Sequence, residues 1–150
     1  MNWELKTFNE LTNQELHDLF RLRVDIFVVE QSCPYPEIDG KDPFSCHLMC
    51  KIDDEIVAYT RILPPGISYN EPSIGRVVVA KSHRGTGLGY ELLKRSVQIS
   101  LDKYKQSIKI GVQAHLEKYY AHAGFKKVSA EYLEDDIPHI DMLLTINGQN

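Results

Sequence analysis

The sequence predicts a mixed α/β (α+β) fold: a central, mostly antiparallel sheet of about six to seven strands with helices on both faces. Three observations predict it. Strand-like and helix-like stretches run in the order strand, helix, three strands, helix, strand, helix, two strands, which is neither a doubly wound alternation nor an all-β pattern. The 150 residues, 43% hydrophobic and 25% charged, suit one globular domain over 1–150 with its own core. No internal repeat or low-complexity tract breaks the chain.

The elements follow in order. Trp3-Glu4-Leu5-Lys6-Thr7-Phe8 alternates with period two and reads as the first strand. Thr12-Asn13-Gln14-Glu15 has capping-box spacing, and Leu16, Leu19, Phe20 and Phe27 carry a helix from about Asn13 to Val28. Residues 31 to 45 hold Pro34, Pro36 and Pro43, so they read as an ordered loop. His47 to Ile52 and Ile56 to Leu63 form a hairpin stopped by Pro64-Pro65-Gly66. Ile74 to Val79 ends almost wholly apolar, as a buried central strand does. Leu88, Leu92, Leu93, Val97 and Leu101 then mark a helix to about Lys103. Ser107 to Val112 is a short strand and Leu116 to Ala123 a short helix stopped by Gly124. Phe125 to Tyr132 and His139 to Ile146 close the chain as two antiparallel strands.

Composition excludes several function classes. Seventeen Lys and Arg against 21 Asp and Glu give a net charge of −4, against a nucleic-acid binder. No apolar run reaches the roughly 18 residues that a bilayer span needs, and Met1 to Phe8 is no signal peptide, so no membrane partner is expected. Three cysteines make no disulfide framework and fit a cytoplasmic location. Cys46, His47 and Cys50 lack a fourth ligand at finger-like spacing, so no metal is expected.

The most informative segment is His83-Arg84-Gly85-Thr86-Gly87-Leu88-Gly89-Tyr90, between an apolar strand and an amphipathic helix. Bare N–H groups at a helix N-terminus, reinforced by the helix dipole, favour a phosphate. A plain tight turn has the same composition. A Walker loop fails because Tyr90-Glu91 follow Gly89, and a dinucleotide fingerprint fails because Tyr stands at 90.

The remaining pattern, Arg84-Gly85-Thr86-Gly87-Leu88-Gly89 directly behind Val77-Val78-Val79, resembles the acyl-CoA pyrophosphate loop of the GNAT N-acetyltransferases. The stretch Gln113 to Phe125 is similar too, with an amide side chain seven residues before Tyr120 and a Gly-Phe pair four after it. Cys33-Pro34-Tyr35-Pro36-Glu37-Ile38-Asp39-Gly40-Lys41-Asp42, Ile74 to Val79 and Tyr132 to Ile140 resemble the ElaA-like branch, so that the likeness covers nearly the whole chain.

The resemblance implies a sheet splayed after its fourth strand, acetyl-CoA as cosubstrate and an amine as acceptor. It places the diphosphate on Arg84 to Tyr90 and the pantetheine arm along Val77, Val78, Val79 and Gln113, with Tyr120 protonating the departing sulfur.

The chemistry makes further demands on the chain. A Lys-like amine is only about 0.04% neutral at pH 7 and needs a base or a water chain. Many GNAT enzymes hold a Glu on the fourth strand, where this chain has Ser73, Ile74, Gly75 and Arg76. His47, His115 and His139 are the candidate bases, and His139 is favoured because it lies in the ElaA-like motif. Glu37 and Arg76 are further acceptor-binding candidates, and Glu134-Asp135-Asp136 reads as a solvated turn or an acidic lip. A non-catalytic acyl-CoA sensor remains an alternative at this level, and the chain reads equally as a monomer or a homodimer.

Overall fold

The computed structural model describes residues 1–146. The capping box closes as its spacing predicts: Thr12 Oγ1 accepts from Glu15 N at 3.0 Å, and Glu15 Oε1 accepts from Thr12 N at 2.9 Å. Helix α1 spans Asn13–Arg23. The expected helix does not continue to Val28 as an α-helix, because Val24–Glu30 is a π-helix. Gln31 N bonds Ile26 O at 3.3 Å and Cys33 N bonds Val28 O at 3.1 Å, each across five residues. Val24, Ile26, Val28 and Val29 are β-branched and weak helix formers, so the ordinary pitch has little local support here.

Glu15 also ties α1 to the sheet. Its buried carboxylate accepts from Lys6 at 2.9 Å and Lys51 at 2.7 Å. Burial works to raise its pKa, but the hydrogen bonds from Lys51, Thr12 N and Lys6 hold it down, from 4.5 to about 2. A carboxylate depressed on folding stabilises the protein fully above pH 4.5, and that stability is lost as pH falls towards 2. At about 1.4 kcal/mol per pH unit the contribution reaches ~3 kcal/mol. The urea midpoint of the wild type is therefore expected to fall more steeply between pH 4.5 and 2.5 than that of Glu15→Gln.

Strands β1 (Asn2–Thr7), β2 (Cys46–Ile52), β3 (Glu55–Leu63) and β4 (Ser73–Val79) form one antiparallel sheet in that order. In the second sheet β8 (Ile137–Leu144) lies between β5 (Ile108–Gln113) and two short strands, β6 (Lys126–Lys127) and β7 (Tyr132–Glu134). The expected strand Phe125 to Tyr132 is thus two pieces. Five residue steps from Lys127 to Tyr132 face three from Met142 to His139. The ladder is interrupted because the Ser129 hydroxyl, in place of a carbonyl, accepts from Asp141 N at 2.9 Å. Between β7 and β8, Asp135 (φ 49°) and Asp136 (φ 62°) form a two-residue turn with both φ positive, a conformation Asp tolerates.

Helix α2 (Leu88–Tyr104) buries Leu88, Leu92, Ser96 and Ser100 along one stripe. Helix α3 (Glu117–His122) follows β5. Ile74, Leu93, Ile110, Tyr120, Phe125, Ile140 and Met142 share one core cluster, which joins the two sheets. Between the facing edges β4 and β5 no strand ladder forms; near their start Lys109 N donates to Pro72 O at 3.0 Å. This is the splay expected after the fourth strand. No helix among the described residues is long and apolar enough to cross a membrane.

The proline-rich loop after α1 is fixed by charge. Arg23, with no exposed surface, donates to Glu37 Oε2 at 2.8 Å and Asp42 Oδ1 at 2.7 Å. Arg61 grips Asp39 with both terminal nitrogens, at 2.8 and 2.9 Å, and Arg76 reaches Glu37 Oε2 at 2.7 Å. Three guanidinium groups thus meet three carboxylates. Burial works to raise the pKa of Asp39, but Arg61 holds it below the ordinary carboxylate range.

Candidate active site

The cofactor end is built from the glycine turn. Gly85 (φ 76°) and Gly87 (φ 83°) adopt left-handed conformations that strain a residue with a Cβ. The Thr86 hydroxyl donates to His83 O at 2.7 Å, closing the turn just ahead of α2. Glu91 N is the first α2 amide with a backbone acceptor, at Gly87 O. Among the described residues, the amides from Gly85 to Tyr90 have no protein acceptor. Such bare amides at the start of a 17-residue helix suit an anion.

Behind the turn lies a cleft of about 710 Å³ between β4 and β5, lined by Gly75 to Val79, Gly111 to Gln113 and Tyr120 among others. β4 pairs with β3 at Ser73 to Gly75 and again at Val78 and Val79, but the register slips between Gly75 and Val78. Within the slip Arg76 takes φ 52°, a left-handed conformation that costs an L-residue about 1–2 kcal/mol. Its side chain holds it there through Glu37, with the Tyr35 ring 5.6 Å away. Tyr120 is buried, packed edge-on against Tyr119 and Phe125. Burial pushes its phenol well above its ordinary pKa, so the proton stays on at neutral pH. Its hydroxyl has no hydrogen-bond partner among the described residues.

The other end of the cleft is lined by Cys33, Tyr35, Glu134, Asp135 and His139. His139 Nδ1 lies 2.7 Å from Ile137 O, and Nε2 lies 3.3 Å from Glu134 Oε2. The Tyr132 ring stacks on the imidazole at 6.1 Å. The Tyr132 hydroxyl donates to Asp141 Oδ1 at 2.7 Å, and the Tyr69 hydroxyl donates to the same oxygen at 3.1 Å. This cluster needs a glycine opposite. A Cβ at Gly111 would stand 2.6 Å from the Tyr69 hydroxyl and 3.1 Å from that of Tyr132. Gly111→Ala is expected to destabilise the fold by about 1–3 kcal/mol, read as a lower denaturant midpoint.

Residues 24–146 match the family model for the acetyltransferase (GNAT) domain. The chain belongs to the GNAT acetyltransferase family. It is 42% identical to an acyl-CoA N-acyltransferase from Pseudomonas aeruginosa, whose crystal structure superposes with a TM-score of 0.89 over 95% of this chain and 99% of that one. Escherichia coli ElaA is 36% identical with a TM-score of 0.88, over 95% and 97% of the two chains. A Synechocystis relative is 39% identical over 97% of this chain and 96% of its own length. The ElaA-like resemblance therefore holds over most of the chain. As a GNAT enzyme the protein is an acetyltransferase acting on an acyl-CoA thioester.

The GNAT cleft gathers most of the residues expected of it, though not all. Val77, Val78, Val79, Arg84, Gln113, His115, Tyr120, Arg76 and His139 line it, whereas Gly85, Thr86, Gly87, Leu88, Gly89 and Tyr90 do not. The Leu88 side chain is in the core, and the exposed Tyr90 ring lies 5.2 Å from Tyr119 and 5.3 Å from His122. Arg84 is held by Glu30 through two bonds of 2.6 and 2.7 Å. Gln113 donates to Gln31 at 3.2 Å and accepts from His115 at 2.8 Å.

Two of the expected acceptor-site residues lie outside the cleft. Glu37 is buried between Arg23 and Arg76 and also accepts from the Tyr35 hydroxyl, so its carboxylate is committed to the loop. His47 is fully buried, with Nδ1 2.6 Å from the Tyr59 hydroxyl and Nε2 3.0 Å from Asp42 O. Burial lowers its pKa, keeping it neutral, and it lines no part of the cleft.

Sequence reasoning missed Glu30, Gln31, Cys33 and Tyr35 as cleft residues. Glu30 and Gln31 fell in a stretch read as helix end and loop, and Cys33 and Tyr35 stood in the ElaA-like motif without a role attached to them.

Proposed function

We propose that this GNAT enzyme, acting as one domain over residues 1–150, transfers acetyl from acetyl-CoA to a primary amine by direct attack while both substrates are bound. The observation that carries this reading is the cleft itself: two unpaired strand edges face each other, with a buried, protonated phenol on its wall. The amides from Gly85 to Tyr90, with Arg84, hold the diphosphate. The β4 edge at Val77 to Val79 pairs with the pantetheine amides as a neighbouring strand would, and Gln113 lies alongside. A backbone N–H of the same edge receives the carbonyl oxygen as charge builds on it. Tyr120 gives its proton to the departing sulfur, and His139 faces the acceptor.

Calorimetric titration with acetyl-CoA, ATP and NAD, followed by thiol release in a panel of amines and peptides, tests the reading. Saturable binding of acetyl-CoA in preference to the other two, with thiol release that requires an amine, is expected. Equal binding of all three, or no amine-dependent release, overturns it.

A further inference from the structure

Resting on that transfer reading, we infer that Glu134 and His139 together form the acceptor site and select a protonated aliphatic amine, which His139 deprotonates. Gln113 pairs directly with His139 across β5 and β8, and Tyr132 pairs with it from β7. Directly opposed residues of an antiparallel pair project to one face, so the imidazole stands beside the Gln113 amide on the cleft side. The Tyr132 ring, anchored through Asp141, fixes its plane.

The hydrogen bonding then assigns the two ring nitrogens. A carbonyl only accepts, so Nδ1, 2.7 Å from Ile137 O, carries the ring proton. In the neutral ring, Nε2 is left with a lone pair 3.3 Å from the Glu134 carboxylate, which also only accepts. With Nε2 unprotonated two acceptors face each other, and a donor with at least two N–H groups satisfies both, as a proton on Nε2 does when the site is empty. An alkylammonium has three: one for Nε2, one for Glu134 and one to spare. Arg76 on the opposite wall does not repel it strongly, since Glu37 and Asp39 already meet that guanidinium.

The protons balance. The ammonium gives one proton to Nε2, from where it leaves to water past the exposed Glu134 carboxylate. The freed nitrogen bonds to the thioester carbon, and the C–S bond breaks. The amine's second proton replaces the one that Tyr120 gives to sulfur, so the net release is one proton.

Benzylamine and aniline test this assignment, because the first is protonated at pH 7 and the second is neutral. His139→Gln is expected to lower kcat/KM for benzylamine about 10²–10⁴-fold, the usual range for a general base, and for aniline less than tenfold. Glu134→Gln is expected to raise KM for benzylamine about fivefold, the order of a partly exposed charge contact, and to leave that for aniline unchanged. Acetyl-CoA affinity, measured on each variant, should stay within twofold of wild type and shows that the variants are folded. Independently of turnover, benzylamine should shift the Nε2 nitrogen resonance of His139 in both proteins, with the midpoint at about fivefold higher amine concentration in Glu134→Gln than in the wild type.

Equal losses for the two amines, or no loss, overturn the assignment and leave the pair a structural His–Glu contact. A wild type that binds acetyl-CoA but acetylates neither these nor any other amine overturns the transfer reading, and this inference with it.

Discussion

Tyr120→Phe is expected to lower kcat about 10²–10³-fold while acetyl-CoA binds within about twofold of wild type. The substitution removes one oxygen and keeps the ring that packs against Tyr119 and Phe125. Binding therefore changes little. A thiolate with a Cys-like pKa near 8.5 is a poor leaving group without a donor, and an ordinary phenol near 10 supplies one at a cost of about 2 kcal/mol. Burial raises that cost by holding the proton more tightly. In the proposed transfer the phenol therefore acts by hydrogen-bonding the sulfur as charge develops. Stopped-flow thiol release, alongside a titration of acetyl-CoA, separates the two effects. Equal losses of affinity and turnover would make Tyr120 a packing residue and remove it from the chemistry.

The largest loss of stability is expected at Arg23. Removing one partner from a buried ion pair costs about 3–5 kcal/mol, because the other charge stays buried without it. Arg23→Ala strands two carboxylates, but Glu37 retains Arg76 at 2.7 Å and Asp42 retains Arg61 at 3.3 Å. The expected loss is thus about 3 kcal/mol, the lower end of that range, and a large part of the 5–15 kcal/mol that holds a typical domain together. Urea unfolding of Arg23→Ala, Arg23→Met and Arg23→Lys separates the causes. Met fills most of the space, so a Met variant as unstable as Ala points to charge. Lys restores the charge without the fork that spans both acids, and a partial recovery is expected. A Met variant as stable as wild type would reduce the network to packing.

The residues legible in the sequence are those whose placement is local. The glycine turn, the valine edge before it, the capping box and the β5–α3 segment are each defined within a dozen residues, and neighbours in sequence are neighbours in space. Tyr120 and Gln113 reach one cleft because a strand and the short helix after it leave little choice. The loop after α1 was not legible in this way. Where Glu37 and Asp39 point is decided by Arg61 and Arg76, more than 20 residues away, and a carboxylate in a loop looks the same in sequence whether it meets a substrate or a guanidinium. His47 was misplaced for a similar reason. Both faces of β2 are covered, so alternation along the strand could not separate a cleft side from a core side. The π-helix escaped because hydrophobic spacing marks a helical stretch without fixing its pitch. Glu30 and Gln31 reach Arg84 and Gln113 across the fold, contacts that no local pattern encodes.

Arg76 belongs at once to the cleft wall and to the buried charge network. Laboratory libraries are therefore constrained there: altering this residue to admit a new acceptor also loosens the proline-rich loop and releases the left-handed backbone at position 76 in β4. The β7–β8 turn carries no such double duty, since Glu134 is largely exposed and Asp135 and Asp136 need only tolerate positive φ. If the proposed acceptor site holds, selectivity is best diversified at residues 134–136, where new chemistry can be tried without dismantling the scaffold beneath.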